Sequence, residues 1–271
     1  EQTGTAQTVR LIASRRPDVV GFSCLTPAMG EVRRLGAGVR ESIRGVKIIL
    51  GNIHASFFAE DLVRGGLADA VVHNEGENVV LDLIRTWEAA GDPATVNGLT
   101  CRSNDAVLTS GRAEPIRDLD SLPDPAWDLL DVRRYVSPAM YSFTDVMLPI
   151  EASRGCPFSC SFCSQILLYP SVRRRQPAQV VDEIERMHDR YGVSHFLFID
   201  AIFPMTRKDG MEFSNEMICR GLHRKIQWII ESRVDFVDRE LLFRMREAGL
   251  RMVAYGLEAG NQTLLDSTRK R

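Results

Sequence analysis

The chain has 271 residues, 44% of them hydrophobic, a formal net charge of −2 and six cysteines. Its length points to two domains or one large barrel, and the near-neutral charge without a long basic block argues against an electrostatic nucleic-acid binder. No run of about eighteen apolar residues offers a membrane span, and the sparse cysteines and missing secretory segment exclude a disulfide scaffold.

The chain therefore reads as a soluble, cytoplasmic protein. It opens on Glu1 rather than methionine, from which a fragment is expected. In chain order, apolar runs alternate with amphipathic stretches in two series. The first predicts a helix near 8–15, a strand over 18–23, a helix over 30–43 and a strand over 46–50. It continues with a short helix over 58–64, a strand over 68–72 and a helix over 78–89. Short, continuous β-branched runs between helices signal a buried parallel sheet. A hairpin follows over 99–103 and 106–110. Next comes a proline-bearing acidic stretch, from Glu114-Pro115 to Leu122-Pro123-Asp124-Pro125, with the composition of a domain boundary.

The second series starts with a strand over 146–150. It runs through a helix over 178–191, a strand over 195–199, a helix over 208–223 and a strand over 227–232, and ends with a helix over 239–248 and a strand over 252–257. Four strand–helix units read as part of a (β/α) barrel, whose active site gathers at the C-terminal strand ends. Each predicted strand finishes on a chemically useful group: a cysteine loop, Asp200, Arg233 and Glu258.

The cysteine loop is the most specific signal. Cys156, Cys160 and Cys163 lie in Arg154-Gly155-Cys156-Pro157-Phe158-Ser159-Cys160-Ser161-Phe162-Cys163. A four-iron cubane normally takes four cysteines, so three leave one iron open to a substrate or cofactor. A structural zinc site competes, but zinc usually draws on two separated ligand pairs, and no second pair is visible. Asp200 has an ordinary reading as a turn cap, and Arg233 as a partner of Asp235 or Glu231. The basic run Arg173-Arg174-Arg175 reads as a solvated face. Cys24, Cys101 and Cys219 read as small buried hydrophobes. Met211, Met217, Met245, Met252, Phe196, Phe198 and Phe203 read as core.

The C-x3-C-x2-C spacing, with aromatic Phe162 before the last cysteine, resembles the signature of radical S-adenosylmethionine (SAM) enzymes. The resemblance implies a [4Fe-4S] cluster on Cys156, Cys160 and Cys163 whose open iron chelates SAM, and one-electron cleavage of the sulfonium to a 5'-deoxyadenosyl radical. Gly256-x-Glu258-x-Gly260 resembles the fourth-strand segment of these barrels. It implies Glu258 near the ribose hydroxyls, Arg233 near the methionyl carboxylate, Asp200 near its amine, and Phe162 beside SAM.

The first series resembles the cobalamin-binding domain of one large radical SAM class, through Pro17 to Thr26, Leu50 to Ser56 and Asn74-Glu75-Gly76-Glu77-Asn78. The implied fold is a Rossmann-like (flavodoxin-like) α/β domain lacking its start, over residues 1–113, then a connector over 114–145 and a C-terminally truncated radical SAM core over 146–271. Ser23, Thr26, Gly51, Asn52 and Glu75 fall at strand ends, where open α/β sheets bind ligands. Gly51-Asn52 replaces the family's usual glycine pair. The motif that supplies a cobalt-ligating histidine is absent, and His54 reads as a hydrogen-bonded loop residue. A barrel ending at Arg271 cannot close, so the segment alone is expected to be poorly soluble or inactive.

The function implied is cobalamin-dependent methylation of an unactivated centre in a small-molecule or natural-product substrate. Electrons would come from an external flavodoxin- or ferredoxin-type reductant. Radical oxidative cyclisation, as in the anaerobic magnesium-protoporphyrin monomethyl ester cyclase group, is the alternative within the same architecture. A tRNA methylthiotransferase should bring a basic RNA-binding module that is not visible, and a plain iron–sulfur electron carrier should be indifferent to SAM.

Overall fold

The computed structural model describes residues 4–136, 146–169 and 171–270. The chain divides between Pro115 and Ile116 into two compact units. Residues 137–145 of the expected connector lie outside the described residues, as do Glu1 and Arg271 at the ends.

The first unit runs α1 (Thr5–Arg15), β1 (Val19–Ser23), α2 (Met29–Ser42), β2 (Lys47–Gly51), α3 (Asn52–Phe57) and α4 (Ala59–Arg64). It ends with β3 (Ala70–Val72), α5 (Glu77–Glu88), β4 (Leu99–Ser103) and β5 (Ala106–Thr109). The sheet order is β1-β2-β3-β4-β5. β1, β2 and β3 are parallel, and the β4–β5 hairpin adds to β3 antiparallel. Strand side chains alternate between faces, and β2 uses both: Ile48 and Leu50 enter one apolar core, Ile49 the other. Helix α2 covers the first face through Met29, Val32, Gly36 and Val39 at helical spacing. The Asp69 carboxylate ties these layers, accepting from the Ile48 N–H at 2.7 Å and from Arg40 at 2.9 Å.

The second unit contains β6 (Met147–Ile150), β7 (Ser153–Arg154), α6 (Gln165–Leu168), β8 (Arg173–Arg174), α7 (Pro177–Tyr191) and β9 (His195–Phe198). α8 (Arg207–Cys219), β10 (Gln227–Ser232), α9 (Arg239–Glu247), β11 (Leu250–Tyr255) and α10 (Gln262–Ser267) complete it. β6, β9, β10 and β11 form one parallel sheet in the order β11-β10-β9-β6. Helix α7 starts on Pro177, whose missing N–H costs nothing at a first turn, and stops at Gly192, left-handed at φ 69°. Its Val180, Val181, Ile184 and Met187 meet Phe196, Phe198, Phe203, Phe213 and Trp228 in one core. The Trp228 indole N–H donates to the Ala248 carbonyl at 3.0 Å, so the buried ring leaves no donor unsatisfied.

Three expectations are corrected. Residues 52–57 form a helix, α3, rather than a loop. Cys24 and Cys101 are fully buried, but Cys219 is exposed at the end of α8. The run Arg173-Arg174-Arg175 is a solvated face only at Arg174, which is exposed, while Arg173 and Arg175 are half-buried. Arg173 donates to the Ile116 carbonyl, Arg174 to Asp209, and Arg175 to Glu183 and the Glu151 carbonyl. Their carboxylate and carbonyl partners lie on separate segments, which a single-sequence reading does not bring together.

Candidate functional site

Immediately after β6, the short ribbon β7–β8 pairs Ser153 with Arg174 and Arg154 with Arg173. It closes the base of the loop that carries Cys156, Cys160 and Cys163. Gly155 is required at the bend: its φ is 91°, and a Cβ there would stand 2.3 Å from the Ser171 carbonyl oxygen. All three cysteines are half-buried and line one cavity of about 470 Å³.

Burial pushes the Cys156 thiol above its ordinary pKa. The Phe158 N–H and the Arg233 charge oppose this, whereas Cys163 and Cys160 add to it. The three sulfurs and Arg233 therefore share one electrostatic neighbourhood. Among the described residues, no three His, Cys, Asp or Glu side chains gather as they would around a single metal ion. A cubane takes one thiolate on each of three irons, so a loop with three cysteines is a donor set that suits a cluster.

Arg233 and Glu258 line the same cavity. Arg233, just past β10, lies over the Phe158 ring at 3.9 Å and forks onto Asp235 with two 2.9 Å bonds. That pairing holds the Asp235 carboxyl below its usual range. Glu258, past β11, adopts φ 59° and pairs with Lys270 at 2.8 Å. Phe162 is exposed on the cavity rim, with the Lys270 ammonium 6.0 Å from its ring centre. The loop meets the following segment at its far side, where the Ser161 N–H donates to the Thr268 carbonyl. Sequence reasoning missed Lys270, which belongs to no motif, and Ser232, a buried cavity-wall residue at the end of β10.

Asp200 is not among the residues lining this cavity. The residue is 3% exposed, and its carboxylate accepts from the Ser153 hydroxyl at 2.5 Å and the Ala152 N–H at 3.1 Å. Burial raises its pKa to about 7, against the opposing pull of these hydrogen bonds. Strand position alone foretold a polar strand end but not the direction of its side chain.

In the first unit, Ser23 and Gly51 end the paired strands β1 and β2. A Cβ on Gly51 would meet nothing within 4 Å, so open space faces that backbone. Asn52 stands at φ 75°, a left-handed conformation that asparagine tolerates better than other side chains. It therefore does the conformational work of a second glycine. Its amide nitrogen also donates to Ser23 Oγ at 3.0 Å, and its Oδ1 accepts from the Ile53 N–H. Thr26 Oγ1 and His54 Nδ1 lie 3.0 Å apart, and His54 packs on Phe58 with ring centres 4.6 Å apart. His54 is thus held by a side chain and a ring, within a helix. Glu75 is buried just after β3. The small and polar strand ends with open space above Gly51 fit a flat macrocycle.

The family profile described as B12 binding domain matches residues 2–84, and the profile of the Radical SAM superfamily matches residues 150–271. The anaerobic magnesium-protoporphyrin IX monomethyl ester cyclase of Cereibacter sphaeroides is 37% identical over 262 residues, covering 94% of this chain and 42% of the relative. Hopanoid C-3 methylase of Methylococcus capsulatus is 29% identical over 274 residues, covering 98% of this chain and 50% of the relative. The chain thus spans half or less of the length of these curated relatives. The solved structure of the cobalamin-dependent S-adenosylmethionine radical enzyme OxsB superposes with a TM-score of 0.79 at 20% identity, covering 99% of this chain and 39% of that one, a likeness of fold. No helix among the described residues is long and apolar enough to cross a membrane. The two profiles imply a [4Fe-4S] cluster, SAM and cobalamin as cofactors. Residues 150–271 thus carry a Radical SAM superfamily domain, preceded in sequence by a B12 binding domain over residues 2–84.

Proposed function

We propose that this chain is the cofactor-binding portion of an enzyme that reductively cleaves SAM and uses cobalamin to methylate an unactivated centre of a small-molecule substrate. One observation carries the reading: the three thiols of one loop share a single cavity with Arg233 and Glu258, which come from two other strand ends. When bound, the cluster, SAM and cobalamin supply the electron transfer, the radical and the methyl donor. The protein's part is placement. Cys156, Cys160 and Cys163 hold the cluster. Arg233, flattened against Phe158 and with its fork held by Asp235, supplies the positive charge proposed for the methionyl carboxylate. Glu258 suits the ribose hydroxyls, and Phe162 shields the rim.

Ser23, Thr26, Gly51, Asn52 and Glu75 form the proposed cobalamin face. On this reading residues 1–113 serve cobalamin, 114–145 connect, and 146–271 serve SAM. An external flavodoxin- or ferredoxin-type protein delivers the electron. A cluster open at one iron suits a reducing compartment, and we assign the cytoplasm.

Radical oxidative cyclisation is the second reading, favoured by the 37% identity to the Cereibacter cyclase. Anaerobic reconstitution of the full-length protein with iron, sulfide and cobalamin tests both. Methylation yields S-adenosylhomocysteine together with 5'-deoxyadenosine, whereas cyclisation yields no homocysteine product. A cluster whose electron paramagnetic resonance spectrum ignores added SAM would refute both.

A further inference from the structure

The cysteine loop is long, from Gly155 to Val172, and among its described residues the one helix is the four-residue α6. A loop of that length is costly to order, yet three thiols must stand in a defined arrangement to receive a cluster. The groups that fix its ends lie outside it. On the outgoing side, Asp200 at the end of β9 takes both the Ala152 N–H and the Ser153 hydroxyl. On the returning side, the Arg175 N–H donates to the Ala152 carbonyl at 2.8 Å. The Arg175 guanidinium donates to the Glu151 carbonyl at 2.9 Å and to Glu183 of α7 at 2.5 Å.

Both polar groups of the Ala152 backbone are thus claimed, one by Asp200 and one by Arg175. Asp200 and Glu183 are buried, at 3% and 5% exposure. A buried carboxylate is expensive unless its hydrogen bonds are met, and here those bonds come from, or through Arg175 connect to, the base of the loop. Neither Asp200 nor Arg175 lines the cysteine cavity, so their effect on it is indirect.

We propose that Asp200 and Arg175 are positioning residues that clamp the two ends of the cysteine loop, pre-arranging Cys156, Cys160 and Cys163 before a cluster is loaded. The purpose assigned to the clamp rests on the reading of those cysteines as cluster ligands. The clamp itself is a property of the cofactor-free chain.

The test is timed alkylation of the full-length, iron-free protein with N-ethylmaleimide, followed peptide by peptide, with exposed Cys219 as internal reference. Asp200→Ala loses an acceptor of two hydrogen bonds and should alkylate the three loop cysteines about tenfold faster at an unchanged Cys219 rate. Arg175→Met should do the same. Asp200→Asn retains an acceptor oxygen and should return the rates to within about threefold of wild type, a rescue that loss of packing would not predict. Ser153→Ala removes one small donor, is the variant least able to disturb folding, and should give about a threefold increase. Unchanged rates in Ser153→Ala and Arg175→Met, or equal acceleration at Cys219, overturn the clamp. Iron and sulfide content after reconstitution is read separately. A wild-type protein that takes up no cluster overturns the assigned purpose and the cysteine reading together, while the alkylation rates still decide whether the ends are clamped.

Discussion

Lys270 reaches across to Glu258, with Nζ 2.8 Å from Oε1, and also donates to the Gly256 carbonyl at 2.5 Å. A cation twelve residues further along the chain thus orients the carboxylate proposed for the ribose. The pair is partly solvated, the Glu258 side chain being 39% exposed, so its worth is modest. Lys270→Ala in the full-length protein should raise the SAM KM by up to about fivefold and leave thermal stability nearly unchanged. Steady-state measurement of SAM cleavage checks this, and an unchanged KM would separate Lys270 from SAM binding.

Gly155→Ala should be far more damaging than its size suggests. The new methyl group would sit 2.3 Å from the Ser171 carbonyl carried by the returning arm of the loop. The left-handed backbone adds a strain of about 1 kcal/mol or more. The β7–β8 ribbon must then part, and cluster occupancy after reconstitution should fall by more than about half while α7 and the parallel sheet persist. Iron analysis beside circular dichroism distinguishes that local opening from global unfolding.

Asn52 offers a paired test. Asn52→Gly relieves the φ of 75° but forfeits the hydrogen bond to Ser23, so its net effect on stability should lie within about 1 kcal/mol of zero. Asn52→Ala keeps the strain and loses the bond, and should cost about 1–2 kcal/mol. Urea denaturation ranks them, and corrin retained through gel filtration should follow the same order.

Asp200 sets a pH dependence whose sign follows from its surroundings. Burial raises its folded pKa to about 7, outweighing the Ser153 and Ala152 bonds, against about 3.9 in an unfolded chain. The folded state therefore holds a proton that the unfolded state releases. Stability from this source is complete below about pH 4 and is lost as pH rises through 7. Asp200→Asn removes the titration. Wild type minus variant stability should therefore decline between about pH 4 and 7 and level off above 8, as read from urea midpoints. A flat difference would mean that Asp200 stays ionised throughout.

Periodicity carried much of the architecture. The β-branched runs around Ile48–Leu50 and Ile229–Ile230 lie in buried parallel strands, because burial on both faces removes the alternation that an exposed strand would show. The cysteine spacing was equally legible, since a loop that holds three thiols must bring them close in sequence. Contacts between distant segments were not. Asp200, just past β9, turns toward Ser153 of the separate β7–β8 ribbon, and Arg175 engages Glu183 and the Glu151 carbonyl. Lys270 joins Glu258 without any local motif. The α3 helix was missed because Asn52 enters it from a left-handed conformation, with no side-chain cap at Gly51 to announce it. Cys219 was misjudged because it ends α8 on the solvent side, whereas Met217 of the same turn is buried.

The cavity wall is assembled from the ends of separate strands, each hydrogen-bonded to its neighbours along a parallel ladder. Division of labour among independent tips lets one contact drift by mutation while the ladder beneath stays intact. Such a scaffold can retain its cofactor grip through long divergence and still exchange one substrate for another.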